Sequence, residues 1–155
     1  MRPSARPPED APAKRASWRR GLAVTQGAFY LATGLWPFAS MKSFLAVTGP
    51  KRDLWLVRTV GALVCVVGAV LVESARRDGP SREVALLGAG SAAALAGIEL
   101  YYGGRRRISA VYLADSAVEL ALGAAWGLAA VPLPSSRRDS TVNPRSIPAT
   151  KELPP

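Results

Sequence analysis

The sequence predicts an all-α fold, a polytopic membrane protein built as a bundle of four transmembrane helices. Three observations predict it. Apolar residues make up 49% of the 155-residue chain, yet they are concentrated between Gly21 and Val131. Four prolines precede residue 13 and six follow residue 131, which leaves only three for the block between. Within that block lie four segments of 19 to 24 residues, each with two charges or fewer. A chain of this size makes one domain at most, so the reading is one membrane domain between two polar tails.

Residues 1–20 carry six basic residues and Pro3, Pro7, Pro8 and Pro12, which predicts a disordered basic tail. The first span, residues 21–40, has no charge. It is long for the apolar core of a secretory signal, and Trp36-Pro37 stands where small residues are wanted for cleavage, so it reads as a retained helix. MKSFLAV, residues 41–47, sets Phe44, Leu45 and Val47 beside Lys42, as in a short interfacial segment.

Thr48-Gly49-Pro50 marks a turn and Asp53 an N-cap for the second span, residues 54–72, whose one charge is Arg58. Gly79-Pro80-Ser81 opens the third, residues 84–102, with Glu83 near its positive dipole end and Glu99 as its one internal charge. Gly103-Gly104 is expected to stop that helix and reverse the chain. The fourth span, residues 108–131, holds Asp115 and Glu119. Residues 132–155 read as a second disordered tail.

At 1.5 Å per residue each segment covers roughly the 30 Å hydrocarbon core. Alternation is absent, and lipid admits only helices or closed barrels. A soluble bundle would need a charged outer stripe on each helix, and none has one. Lys and Arg number thirteen on the side of the two tails and the 73–83 loop, against six in the 41–53 and 103–107 loops. The positive-inside rule then puts both termini in the cytoplasm, and the Ala-, Gly- and Arg-rich composition suits a bacterial source, which makes an inner membrane the expected location.

The charges inside the spans share faces. Residues three or four apart stack on a helix, so Tyr112, Asp115, Glu119, Leu122 and Trp126 form one stripe. Glu99 aligns with Gly88, Ala92, Leu95 and Tyr102, and Arg58 with Ala62, Cys65 and Ala69. The first helix adds Gln26, Tyr30 and Thr33. All four charges lie toward the membrane side that carries the 41–53 and 103–107 loops, which predicts one buried cluster of Arg58, Glu99, Asp115 and Glu119 beside Tyr102 and Tyr112. An acid at a helix centre costs about 2.5–3.5 kcal/mol on insertion scales. Such groups persist only with partners in the bundle or a water-filled pocket.

The chain has no histidine, and Cys65 is its one cysteine. That removes histidine-based catalysis, His-ligated metals and a Cys-x-x-Cys redox pair. Gly88-Ala89-Gly90 reads as helix packing rather than a phosphate loop. No cofactor and no metal are expected. The net charge of +9 is spread over tails and span ends, which suits a bilayer with anionic headgroups better than nucleic acid.

Two functional readings follow. In the first, the protein is of structural or partner-binding type, with the Arg–carboxylate cluster holding the helices in register. In the second, it is a proton-coupled transporter unit or a membrane-embedded enzyme using Asp115, Glu119 and Glu99. Transport through so few helices would call for a homodimer. The first reading predicts a dry, fully paired cluster. The second predicts a cavity opening near Tyr102 and Tyr112. The run FLAVTGPKRDLWLVRTVGAL, residues 44–63, with GRRRISAVYLADSAVE, residues 104–119, resembles a group of small bacterial integral membrane proteins with four helices. That resemblance implies the architecture and no activity.

Overall fold

The computed structural model describes residues 10–130, which form helices and no strand. These are α1 (Asp10–Ala39), α2 (Met41–Thr48), α3 (Leu54–Arg76), α4 (Arg82–Gly104) and α5 (Val111–Ala130). Three of them, α3, α4 and α5, are long and apolar enough to cross a membrane. The first expected span, residues 21–40, lies inside α1, which is longer but less apolar and is not one of the three. Gln26, Tyr30 and Thr33 lower its apolarity, and the structure turns Gln26 and Tyr30 into the interior, at 0% and 1% exposure.

The reading of residues 1–20 as a disordered tail is corrected for residues 10–20, which are the first turns of α1. Ala, Lys and Arg are strong helix formers, and Pro12 falls in the first turn, where a missing N–H costs nothing. A helix already nucleated by packing propagates cheaply into such a sequence. Residues 1–9 and the expected C-terminal tail lie outside the described residues.

The fold is built from two antiparallel helix pairs. In the first, α1 meets α3 glycine to glycine. A Cβ placed on Gly34 would sit 2.7 Å from the Gly61 carbonyl oxygen, and one on Gly61 would sit 2.7 Å from that of Gly34. Gly27 and Gly68 repeat the arrangement seven residues away, at 2.7 and 2.8 Å. Seven residues is two helical turns, so each pair of glycines lies on one face and the backbones touch along a line.

In the second pair α4 meets α5, with Gly88 under the indole of Trp126 and Gly103 under the side chain of Leu113. The core between the pairs gathers Leu22, Ala23, Tyr30, Leu71, Ala92, Leu122 and Trp126. Facing outward are Trp55, Leu63, Val66, Leu86 and Leu128, all more than half exposed. An apolar exterior around a polar-seeded interior is the inverse of a soluble helix bundle.

The connections follow the sequence signals with two differences. Asp53 is the N-cap of α3 but makes no side-chain capping bond, whereas Ser81 caps α4 by accepting from the Val84 amide. The reversal after α4 is not made by its glycines. Gly103 is buried in helical conformation, and Arg106 takes the left-handed position with φ 53°. Gly103 is small because Leu113 packs against it, and the turn falls to the residues that follow. The interfacial segment is the helix α2, held at its start by Ser40, which accepts from the Ser43 amide, and by a bond from Trp36 Nε1 to Ser43 Oγ of 2.8 Å.

Candidate functional site

The expected stripe on α5 faces inward. Ser116, Glu119, Leu122 and Trp126 are buried, and Tyr112 and Asp115 half-buried. Two polar links tie this stripe to α1. Tyr30 donates its hydroxyl hydrogen to Glu119 Oε2 at 2.8 Å. One turn away, Trp126 Nε1 donates to Gln26 Oε1 at 2.6 Å, and Gln26 Nε2 donates to the Gly88 carbonyl at 2.9 Å. Gln26 thus uses its amide as both donor and acceptor to join α1, α4 and α5. A Cβ on Gly88 would lie 2.8 Å from Trp126 Nε1, so glycine is what lets the indole reach the amide.

Glu99 on α4 is 6% exposed, and its Oε2 has no hydrogen-bond partner, the one such buried side-chain atom among the described residues. The Asp115 carboxyl group lines the same cavity as Glu99. Two carboxylates cannot bond to each other without a proton between them. Leaving such a group unsatisfied in the interior costs about 1–3 kcal/mol, and more when it is charged.

These acids line one cavity of about 520 Å³. Tyr30, Thr33, Glu99, Asp115 and Glu119 are its polar side chains at depth. Leu56, Val57, Val60, Val64, Leu95 and Ile98 supply apolar walls from α3 and α4, and Tyr102 and Tyr112 also line it. Toward the end of the molecule that carries the α2–α3 and α4–α5 connections, its lining becomes Lys51, Arg52, Asp53 and Arg107. Lys51 Nζ donates to the Thr48 carbonyl at 2.8 Å and lies 5.0 Å from the Tyr112 ring centroid. Partial burial there lowers the Lys51 ammonium pKa from its ordinary value.

The structure therefore brings together five of the six expected site residues, Glu99, Asp115, Glu119, Tyr102 and Tyr112, and leaves out Arg58. The expectation of Arg58 in a buried cluster is corrected. Its side chain is exposed, it does not line the cavity, and among the described residues it pairs with no acid. The inward face of α3 is set by Gly61 and Gly68 against α1, and Arg58 stands to one side of that line. Close to the start of its helix, a long arginine can carry its charge toward the headgroup region.

Tyr30 is the residue that sequence reasoning placed on a face but not in the site. Its spacing of four from Gln26 was the available signal. Lys51, Arg52 and Arg107 gave none, because loop residues have no helical register.

Comparisons with protein-family models, with curated proteins and with solved structures gave no match.

Among the described residues no three His, Cys, Asp or Glu converge to hold a metal ion. The arrangement offers two other kinds of chemistry. The acids can move a proton among Glu99, Asp115 and Glu119, with Tyr30 as a donor to the last. They can also balance the charge of a cationic group placed among apolar walls.

Proposed function

We propose that this protein is a small-molecule-binding protein of the bacterial inner membrane, crossing it four times with α1 as the first span and both termini cytoplasmic. Its ligand is an organic ammonium compound, held in the cavity with its charge against Glu99 and Asp115. The buried, unpartnered Glu99 Oε2 at the cavity wall carries this reading. A group left without a donor in the interior is what a donor-bearing ligand would satisfy. The walls of Leu56, Val60, Leu95 and Ile98 suit an apolar body attached to that charge.

Binding is coupled to a proton. The empty pair holds one proton between Glu99 and Asp115. An arriving R–NH3+ donates its own hydrogens to both carboxylates, and the displaced proton leaves to water at the cavity mouth. Charge in the cavity is the same before and after, one net negative charge in each state, so the exchange of ammonium for proton moves no net charge into the membrane. This is the binding half of a proton-coupled exchange. Transport by such a unit calls for a second copy.

The structural reading of the cluster requires a paired cation, and Arg58, the one cation within the spans, is exposed. That difference favours a ligand site.

The test is calorimetric titration of octylamine into the full chain purified in detergent, repeated in buffers of different ionisation heat. The expected result is saturable binding with release of about one proton, lost in Glu99→Gln. Octylamine heats that are unchanged in Glu99→Gln, or binding without proton release, would overturn the proposal.

A further inference from the structure

The cavity has opposite charges at its two ends. Glu99, Asp115 and Glu119 lie at depth, and Lys51, Arg52 and Arg107 line the mouth with Asp53 the one acid among them. Lys51 is already engaged by the Thr48 carbonyl and the Tyr112 ring. Arg52 and Arg107 are exposed, and among the described residues neither makes an ion pair or a side-chain hydrogen bond. Two guanidinium groups therefore stand without an anion on the path to a negatively charged floor.

That order of charges is unfavourable for a simple cation entering by the mouth, since it must pass Arg52 and Arg107 before reaching the acids. It suits a molecule with both charges. Guanidinium is the side chain best shaped to take a carboxylate or phosphate by paired hydrogen bonds.

The length of such a molecule follows from the helices. Asp115 is the fifth residue of α5 and Glu99 lies five before the end of α4. At 1.5 Å per residue these acids lie about 6–8 Å below the mouth, and Glu119 about 6 Å deeper.

We infer that the ligand is bipolar, with an ammonium group at the Glu99–Asp115 floor and a carboxylate or phosphate held at the mouth by Arg52 and Arg107. The apolar walls take the chain between the two ends. This rests on the ammonium site proposed above and adds a second subsite, formed by Arg52 in the α2–α3 connection and Arg107 in the α4–α5 connection. The mouth then selects among amines rather than admitting them all.

The experiment compares three probes with one chain length, octylamine, octanoate and aminooctanoate, in calorimetric titrations of the full chain. It is repeated on Arg52→Gln/Arg107→Gln, and on Arg52→Lys/Arg107→Lys, which keeps the charges. Aminooctanoate is expected to bind at least tenfold more tightly than octylamine. The double glutamine variant should remove that advantage without weakening octylamine, whose affinity holds or rises as two like charges are lost, and the lysine variant should keep most of the advantage.

Equal affinities for aminooctanoate and octylamine would overturn the mouth subsite while leaving the ammonium site standing. An advantage that survives in the glutamine variant would do the same, as expected if the two arginines serve only lipid headgroups. Failure of octylamine to bind, or octanoate binding as tightly as aminooctanoate, would overturn the ammonium site and the inference with it.

Discussion

The Tyr30 hydroxyl on α1 donates to Glu119 Oε2 on α5 at 2.8 Å, and both side chains are 1% exposed. A bond to a buried carboxyl contributes about 1.5–3 kcal/mol. Tyr30→Phe is therefore expected to destabilise the protein by that amount in thermal unfolding in detergent. Glu119→Leu alone strands the tyrosine hydroxyl and should cost a similar amount. With both partners replaced nothing is left unsatisfied, so the double variant should recover much of the loss. Strictly additive losses would mean that the two residues act independently.

Gln26 joins three helices through two bonds. Gln26→Leu leaves the Trp126 indole N–H unpartnered, at about 1–3 kcal/mol, while the Gly88 carbonyl keeps its helical partner within α4. Trp126 fluorescence reports on the same event, because its emission should change when the Gln26 oxygen is removed. An unchanged spectrum and midpoint would show that the indole does not depend on this contact.

The glycines divide into two groups with opposite expected responses. Gly61→Ala drives a methyl group into the Gly34 carbonyl at 2.7 Å, and forcing two backbones apart costs about 1–3 kcal/mol. Gly90 is exposed with nothing within 4 Å of a new Cβ. Gly90→Ala is expected to be neutral or to stabilise by up to about 1 kcal/mol through helix propensity. Melting midpoints of the two variants, measured side by side, separate packing from propensity.

Glu99 and Arg58 test what the carboxyl cluster is for. Glu99→Gln supplies an amide donor where the native acid has an unpartnered oxygen, so stability is expected to hold or rise while amine binding is lost, the pattern of a group kept for function at a cost. Arg58→Met, on an exposed position, should change stability by no more than about 0.5 kcal/mol. A large loss on either substitution would restore the ionic clamp that the sequence suggested.

Much of this site was legible before any coordinates. Tyr112, Asp115, Glu119 and Trp126 fall on one helical face by spacing alone, and carboxylates in a membrane-length segment have to turn inward. Glu99 follows the same logic, since Gly88 and Ala92 on its face mark close packing. Arg58 does not, because its spacing from Ala62, Cys65 and Ala69 was equally regular. An arginine near a helix end has a second outlet, toward headgroups, and helical period cannot distinguish the two.

Sequence alone determined the all-α character, the places of α3, α4 and α5 to within four residues at each end, and the inward stripe of α5. Each of these is a local property of hydropathy and period, and the cost of polar groups in lipid enforces it. Only the tertiary structure decided that Gly27 and Gly34 meet Gly68 and Gly61, that Tyr30 is the partner of Glu119, and that Arg52 and Arg107 stand at the mouth of the same cavity as Glu99. Those are pairings between distant segments, settled by how closely backbones can approach and by which buried polar atom finds a donor, and neither quantity exists until the helices are packed.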